Sequence, residues 1–573
     1  MILHRHWAVA AMLSAGMLLG ACGGGDDPPT LRDTSVGRIQ GSDDSATTGT
    51  YAWKGIPFAK PPVGALRWKA PVDADAWSGT RAATAFGNAC VQYGRIYGPG
   101  PNNQYDEAIA DTLNQAVGSE DCLYLNVWRP SSGETGLPVI VFIHGGSNVS
   151  GYTADPMYDG AMLAKTANAV VVTVNYRLGI FGWLNVPQLK DGSSDADDSG
   201  NFATLDTIKA LQFVNRNAAA FGGDNGNVTV MGQSAGAINV YALLTSPLVV
   251  NADPPLMHKA MPMSGGFSLA SNLPPGSFPT LNTADVALAQ GNALVQQLLI
   301  ADGTAADAAA AQAHVATQTP AQIAAYLRGK SPQVLLATLA SRSGSGPIPE
   351  GVVVPTDPVA AINAGDYLAV PVLASNTRHE AKLFPTFLAL APVLGGVSGR
   401  LVTDEQLFDS HFSYDPDAAP TVTVDQWIPA AYLPVDQPVT GFTARTDFLN
   451  SLFFIPSRDN ILGALKARQD EVWYYRFDWD EEPAPWNDIY GAAHAFDLPF
   501  VFGTFGPSLF SNVMNSTANR PGRLELSDAM MKSIAAFARN GDPNNAALGV
   551  TWPAWPAELV FDATPTAKVI TVE

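Results

Sequence analysis

The 573-residue sequence has few cysteines and few charged side chains. Its three cysteines are too few for a fold held together by a disulfide framework. Charged residues make up 15% of the chain, whereas average soluble proteins have roughly 25%. The 32 Lys and Arg face 52 Asp and Glu, which gives a net charge of −20. A surface that binds nucleic acid or an anionic membrane needs a basic face, so we expect neither partner.

Several further features are absent from the sequence. There is no internal repeat and, after the first 21 residues, no long apolar segment. No metal-ligand spacing and no phosphate-binding loop is found, so we expect no metal and no cofactor. Hydrophobic residues nevertheless amount to 47%, which is enough for a large core. Because no linker divides the chain after residue 34, we predict one large domain at 35–573.

The N-terminus has the features of an export signal. A single formal charge, Arg5, precedes an apolar run at 7–19, and this run is too short to span a bilayer comfortably. The run ends in Leu-Gly-Ala-Cys at 19–22, which resembles the bacterial lipobox. That resemblance implies a signal peptide at 1–21, lipid attachment at Cys22 and a polar tether at 22–34. The alternative is ordinary signal cleavage with an incidental cysteine.

Export would leave the protein in an oxidising compartment, anchored in the cell envelope on the periplasmic face or at the cell surface. The anchor would be its only contact with a membrane. Two cysteines, Cys90 and Cys122, remain after removal of the signal and loss of Cys22 to the lipid. We expect them to form one disulfide. The alternative is a pair of buried thiols.

Short apolar runs alternate with helical stretches along the rest of the chain. Runs at 139–143, 170–174, 228–231 and 370–373 have the length of strands. Continuous apolar runs are typical of strands buried on both faces, as in a parallel sheet. Between the second and third runs, apolar residues recur at helical spacing and stop before a Gly-Gly pair at 222–223. This alternation predicts a wound α/β sheet.

The third apolar run leads into the only G-x-S-x-G motif, Gly-Gln-Ser-Ala-Gly at 232–236. A helix-compatible stretch follows, so Ser234 would lie on a sharp turn from strand to helix. Glycines on either side permit the close approach that such a turn requires. The first N–H of the helix, from Ala235, would then be free to stabilise an oxyanion. Ser234 is therefore the candidate nucleophile, and the alternative is an ordinary tight turn.

Several segments together resemble the type-B carboxylesterase and cholinesterase family of α/β-hydrolases. They are the nucleophile motif and its preceding segment at 221–229, the N-terminal signature at 55–68, the block at 119–127, and shorter matches at 175–179 and 540–543. The resemblance implies a large, mostly parallel central sheet that is covered by helices on both faces. It also implies a serine ester hydrolase, and it supports the pairing of Cys90 with Cys122.

An oxyanion hole is predicted where the first apolar run ends. His-Gly-Gly-Ser at 144–147 follows this run, and glycines there let backbone N–H groups point into a site. By resemblance, the N–H groups of Gly146 and Ser147 join that of Ala235, with Gly145 in support. Relatives carry Gly or Ala at the position of Ser147 and an aromatic residue at that of Asn148. The alternative for the segment is a structural glycine turn.

The general base follows from chain order, which in this fold runs nucleophile, acid, base. Only His411 and His494 lie late enough, and the other six histidines fall in the signal, in the oxyanion turn or too early. His411 lies in a polar stretch that is typical of a solvated histidine. His494 lies in Gly-Ala-Ala-His-Ala-Phe-Asp-Leu-Pro-Phe at 491–500, which resembles the family's base motif. We predict His494 as the base.

The acid should follow a sheet strand, because ligand sites gather at the carboxyl ends of strands. Glu380 comes eight residues after Val372, whereas Asp366 precedes the strand. We predict Glu380 as the acid, and the alternative is a surface glutamate paired with Arg378. By resemblance, Gln233 and Ser264 support the site, although many relatives carry Glu at the position of Gln233.

The sequence therefore predicts a serine carboxylesterase that forms an acyl-enzyme on a small ester substrate. Two alternatives remain open: an inactive adhesion relative, and the same residues used for acyl transfer or amide hydrolysis. The sequence does not indicate the natural ester or the oligomeric state.

Overall fold

A computed structural model describes residues 28–101, 103–338, 345–390, 397–399, 415–420 and 422–573. The predicted signal peptide, Cys22 and His411 lie outside these residues. None of the helices in the described ranges is both long enough and apolar enough to cross a bilayer.

The strands form one large sheet and two small ones. In chain order they are β1 (Leu31–Thr34), β2 (Gly37–Gln40), β3 (Ser42–Asp44), β4 (Thr50–Pro57), β5 (Thr80–Ala82), β6 (Gln92–Tyr93), β7 (Ala116–Val117), β8 (Tyr124–Pro130), β9 (Leu137–Ile143), β10 (Val170–Val174), β11 (Gly223–Gln233), β12 (Lys259–Met263), β13 (Val372–Thr377), β14 (Val472–Phe477), β15 (Leu559–Ala563) and β16 (Lys568–Val572).

The large sheet has eleven strands within the described residues, in the order β16-β15-β14-β13-β12-β11-β9-β10-β8-β4-β3. Its middle, from β10 to β15, is parallel throughout. Strands at both ends pair antiparallel. The apolar runs at 139–143, 170–174 and 228–231 all lie in the parallel part, which confirms the prediction of a mostly parallel sheet.

The α-helices connect the strands. They are α1 (Ala161–Ala167), α2 (Gly179–Gly182), α3 (Asp195–Asp198), α4 (Phe202–Asn217), α5 (Ala235–Thr245), α6 (Pro247–Val250), α7 (Ala284–Ala301), α8 (Ala308–Thr317), α9 (Pro320–Arg328), α10 (Pro332–Thr338), α11 (Pro358–Ala364), α12 (Val424–Trp427), α13 (Phe442–Leu452), α14 (Phe454–Lys466), α15 (Trp486–Ile489), α16 (Leu498–Phe502), α17 (Ser511–Met514) and α18 (Arg520–Asn540). Short 3-10 helices lie at Gly64–Leu66, Glu107–Thr112, Pro156–Tyr158, Pro187–Leu189, Ala218–Phe221, Ala270–Asn272, Glu380–Leu383, Pro385–Leu390, Ala430–Tyr432 and Ala546–Leu548.

Alternate side chains of β9 show how the sheet is covered. Val139 and Val141 belong to a buried cluster that includes α4 and α5, whereas Ile140 and Phe142 belong to a second cluster that includes α1 and α18. Successive side chains of a strand point to opposite faces. Both faces of the sheet are therefore buried under helices, as the resemblance implied for an α/β-hydrolase.

Two local features differ from the sequence prediction. Residues 31–34, which we assigned to the tether, form β1 and pair antiparallel with β2, so ordered structure begins before residue 35. The run at 370–373 enters the sheet only at Val372, because Pro371 has no N–H to donate to a ladder.

The disulfide between Cys90 and Cys122 is present, with Cα atoms 5.0 Å apart. Both residues are buried beside Arg67 and Glu120, which form a bidentate ion pair. The disulfide closes a loop across 32 positions ahead of β8. It therefore ties an irregular N-terminal segment to the start of β8, which lies between β10 and β4 in the large sheet.

We predict that replacing both cysteines, as Cys90→Ala with Cys122→Ala, lowers the free energy of unfolding by about 3–4 kcal/mol. A closed loop of this length removes that much conformational entropy from the unfolded chain. Urea denaturation followed by circular dichroism measures the change. The reduced wild-type protein is the control, and equal midpoints for oxidised wild type and double variant would contradict the prediction.

Candidate active site

Ser234 lies on the sharp turn between β11 and α5. Its backbone has φ 58° and ψ −122°, a conformation that side chains rarely adopt. The two glycines of the motif make this turn possible. A Cβ on Gly232 would lie 2.4 Å from the carbonyl oxygen of Gly236, and one on Gly236 would lie 2.0 Å from that of Ile143. The Ser234 N–H donates to the carbonyl oxygen of Met263 at 2.8 Å, which fixes the turn against β12.

The predicted oxyanion loop follows β9. Gly146, Ser147 and Asn148 all have positive φ angles, of 102°, 55° and 59°. Within the described chain, the N–H groups of Gly146, Ser147 and Ala235 have no hydrogen-bond acceptor. A Cβ on Gly145 would lie 2.9 Å from the Cβ of Ser234, so this glycine lets the loop approach the turn. The loop and the start of α5 thus place three unpaired donors near Ser234.

Glu380 and His494 form a buried pair. The Nδ1–H of His494 donates to Oε2 of Glu380, and the two residues are 3% and 1% exposed. Oε1 of Glu380 accepts from Nδ2 of Asn376 at 2.8 Å and from the N–H of Thr377 at 3.0 Å. Burial raises the pKa of Glu380, but the electrostatic interaction and hydrogen bond with His494 and the hydrogen bond from Asn376 outweigh burial, so the pKa lies below its usual value. The carboxylate is therefore ionised in the folded protein.

Chain topology brings these two residues together. Glu380 begins a 3-10 helix three residues after β13 ends, and a bridge between His379 and Ala493 joins that segment to the one bearing His494. Glu380 does not pair with Arg378, whose guanidinium lies 3.9 Å from Asp478. The alternative of a surface glutamate is wrong, because the carboxylate is buried against the imidazole.

Gln233 and Ser264 contact this pair differently. Nε2 of Gln233 donates to Nε2 of His494 at 3.1 Å, and Ser234 makes no hydrogen bond with His494 in the described residues. The imidazole therefore keeps its proton on Nδ1 and a lone pair on Nε2. The hydroxyl of Ser264 is buried near Glu380 and contributes to its low pKa, without meeting hydrogen-bond geometry.

Asp497 is a buried acid that the sequence analysis did not select. It is fully buried three residues after His494, and its Oδ2 accepts from the hydroxyl of Tyr475 at 3.0 Å. Burial and the nearby charge of Glu380 raise the pKa of Asp497 to about 7. The sequence offered one signal for Asp497, which is an acidic residue inside the otherwise apolar base motif. Its burial, however, could not be predicted from the sequence.

A cavity of about 570 Å³ opens onto Ser234, Ala235, Ser147 and His494. Next to the imidazole its wall is aromatic, since the rings of Phe384 and Phe454 lie 5.0 and 5.4 Å from that of His494. The rest of the lining includes apolar and amide side chains, among them Trp183, Leu294, Gln290 and Gln297. No group of three or more His, Cys, Asp or Glu in the described ranges is arranged to hold a metal ion.

Comparison with known proteins gives a consistent result. A model of the carboxylesterase family matches residues 28–567. The chain belongs to the carboxylesterase family. The para-nitrobenzyl esterase of Bacillus subtilis is 30% identical over 540 residues, which cover 93% of this chain and 95% of that esterase. The fumonisin B1 esterase of Sphingopyxis macrogoltabida is 31% identical, over 92% of this chain and 85% of that protein.

Solved structures agree with these relatives. A carboxylesterase of Geobacillus stearothermophilus superimposes with a TM-score of 0.67 at 28% identity, covering 95% of this chain and 98% of that one. The protein is therefore a serine carboxylic ester hydrolase with the α/β-hydrolase fold. The sequence predicted a serine carboxylesterase, and this enzyme class is confirmed.

We predict that Asp497→Asn stabilises this carboxylesterase at pH 7 but not near pH 4. The folded state holds the Asp497 proton up to a pKa of about 7, whereas the ordinary value is 3.8. Between these values the unfolded chain binds fewer protons, so stability falls as pH rises, by about 1.4 kcal/mol per pH unit for this group. The amide carries no charge and still accepts from Tyr475.

Urea midpoints at pH 4 to 8 measure this effect as the difference between wild type and variant. Asp366→Asn is the matched control, because Asp366 is exposed and its replacement should leave the pH dependence unchanged. A difference between wild type and Asp497→Asn that stays constant from pH 4 to pH 8 would contradict the prediction.

Proposed function

We propose that Ser234 is the nucleophile, His494 the general base and Glu380 the acid of this carboxylesterase. One observation carries the proposal: the imidazole bonds the buried Glu380 carboxylate through Nδ1, beside the same cavity as the strained serine. The ionised carboxylate fixes the tautomer that leaves a lone pair on Nε2. That lone pair, which the Gln233 amide engages in the free enzyme, accepts the proton of Ser234.

The reaction then proceeds in two halves. Ser234 Oγ attacks the ester carbonyl while His494 takes its proton, and the imidazolium returns that proton to the departing alcohol. Water repeats the cycle on the acyl-enzyme and releases the acid. Glu380 stays ionised throughout and stabilises the imidazolium.

The N–H groups of Gly146, Ser147 and Ala235 are proposed to hold the oxyanion. Each lacks an acceptor within the described chain, so each is available as charge develops on the carbonyl oxygen. Ser147 and Ala235 both border the cavity. Because all three donors are backbone groups, the serine side chain at 147 does not remove any of them.

The cavity lining supports an uncharged ester as substrate. Among the described residues, the lining has no Asp, Glu or Lys, and Arg95 is its one permanently charged side chain. A cationic ester would find no carboxylate there, although the whole chain carries a net charge of −20. Phe384, Phe387, Phe453 and Phe454 favour an apolar group beside His494.

We predict that Ser234→Ala lowers kcat for short p-nitrophenyl esters by roughly 10⁴–10⁶-fold, because no other group supplies the attacking oxygen. Steady-state assays measure the loss, and circular dichroism checks the fold. Ser246→Ala is the control, since Ser246 is buried at the far end of α5. Undiminished turnover in a folded Ser234→Ala protein would contradict the assignment, and so would the loss of turnover in both variants.

For the chain as a whole, we propose a signal peptide at 1–21, a lipid on Cys22 and a single catalytic domain that includes residues 35–573. The lipobox-like Leu-Gly-Ala-Cys sequence supports the lipid, and the Cys90–Cys122 disulfide supports an oxidising compartment. The polar segment after Cys22 would hold the domain away from the membrane up to β1. The enzyme would then act on esters in the cell envelope.

We predict that Cys22→Ala abolishes labelling of the full-length protein by radioactive palmitate in a bacterial host and moves esterase activity to the soluble fraction. A cysteine that carries two acyl chains anchors a protein stably in a membrane, whereas an alanine at the same position cannot be acylated. A Cys90→Ala and Cys122→Ala double variant is the control and should stay labelled. Persistent labelling of Cys22→Ala would rule out this site of attachment.

A further inference from the structure

The three oxyanion donors belong to two separate segments. Gly146 and Ser147 lie in the loop after β9, whereas Ala235 begins α5 after β11. Oxyanion stabilisation requires these donors to be fixed before the reaction begins, because the free energy of reorganising them would otherwise be added to the barrier. Something must therefore hold the loop at a set distance from the helix.

A buried amide pair joins the two segments beside the donors. Nδ2 of Asn239 donates to Oδ1 of Asn148 at 3.0 Å, and each residue is 1% exposed. Asn148 directly follows Ser147, and Asn239 lies one helical turn after Ala235. The bond spans 91 positions of sequence, so it is a tertiary contact and not part of either local turn.

Other contacts fix Asn148 on the loop side. Its carbonyl oxygen accepts from the N–H of Gly179 at 2.7 Å, and its Oδ1 lies 3.3 Å from the hydroxyl of Tyr176. That hydroxyl also bonds the carbonyl oxygen of His144 at 2.7 Å. Burial lowers the pKa of His144 to about 4, so the ring stacked on Tyr176 is neutral. The network therefore contains no charge that titrates near neutral pH.

Backbone strain in the loop also points to an external restraint. Ser147 and Asn148 are non-glycine residues with φ of 55° and 59°, next to Gly146 at 102°. Such conformations persist only where surrounding contacts hold them. On Asn148, those contacts come from α5, from Tyr176 after β10 and from Gly179 in α2.

We propose that Asn148 and Asn239 form a clamp that sets the spacing between the two halves of the oxyanion hole. Both are positioning residues, because their side chains bond each other and Tyr176, and in the described chain neither bonds Ser234 or His494. The inference rests on the proposed function, since it assigns these donors to the oxyanion. The inference adds a pair of polar side chains on which binding of the transition state depends. An aromatic side chain, which relatives carry at the position of Asn148, would not form this hydrogen bond.

Three variants test the clamp: Asn148→Leu, Asn239→Leu and the double variant. Leucine keeps the branched shape of asparagine, with a larger volume, but neither donates nor accepts a hydrogen bond. We expect each single variant to lower kcat for p-nitrophenyl acetate about 10- to 100-fold, because a misplacement of about 1 Å in an active site can cost up to roughly 10²-fold, and to leave KM within about threefold. Affinity for a trifluoromethyl ketone, whose adduct with Ser234 carries an oxyanion, should fall by a similar factor. The double variant should lose no more than either single one, since both remove the same bond.

Thr245→Val is the matched control. Thr245 lies on the same helix, is buried and donates to the carbonyl oxygen of Tyr241 at 3.0 Å. Its replacement should lower the melting temperature and leave kcat and ketone affinity unchanged. If the leucine variants do not fold, Asn239→Ala replaces them, because the smaller side chain admits water to Oδ1 of Asn148.

The outcomes separate a clamp from a purely structural bond. Lower melting temperatures with unchanged kcat and ketone affinity would overturn the clamp, and so would losses that add in the double variant. Failure of the proposed function itself would appear differently, as full activity in Ser234→Ala. A loss of kcat and ketone affinity in the Asn variants, with both retained in Thr245→Val, would support the clamp.

Discussion

The close approach of three backbone segments around Ser234 is the constraint on which the rest of the site depends. A Cβ on Gly236 would lie 2.0 Å from the carbonyl oxygen of Ile143, so no side chain fits there, and one on Gly145 would lie 2.9 Å from the Cβ of Ser234. This contact places the end of β9 against the start of α5. It brings the predicted oxyanion loop to Ser234, at the point where β11 stops. A larger residue at either glycine would separate the segments and, with them, the proposed donors from the hydroxyl of Ser234.

Burial raises the pKa of both Glu380 and Asp497, but their partners differ. Glu380 is ionised despite burial, because His494, Asn376 and the Thr377 N–H all stabilise its charge. In the part of the chain that the structure describes, the carboxyl group of Asp497 accepts a side-chain hydrogen bond from Tyr475 alone, and the charge of Glu380 opposes its ionisation. The pKa values of the two carboxyl groups therefore differ because their partners differ. Of these two acids, Glu380 is the one that bonds the imidazole of His494, which suits the role of base proposed for that histidine.

The cavity contrasts with the composition of the chain. The protein carries a net charge of −20, yet the described lining of the cavity has no carboxylate side chain. Its acidic residues are elsewhere, and the wall near His494 is formed by phenylalanine rings. Net charge thus describes the outer surface and solubility of this esterase, whereas the uncharged aromatic wall beside His494 is a property of the cavity alone. The net charge of the surface and the lining of the cavity are independent of each other. Side-chain volume determines which residues fit at buried positions, whereas hydration determines which residues suit exposed ones.

Local sequence determined the features that depend on short-range chemistry. Continuous apolar runs at 139–143, 170–174 and 228–231 specified parallel strands, and Gly232 and Gly236 specified the sharp turn at Ser234. Chain order and motif resemblance selected Glu380 and His494 from many carboxylates and histidines. Tertiary structure alone decided what long-range contacts control: the strand formed by residues 31–34, the protonation of Asp497, the bond from Gln233 to His494 and the pairing of Asn148 with Asn239. Each of these depends on burial or on a partner far away in the chain, and a local pattern cannot encode either one.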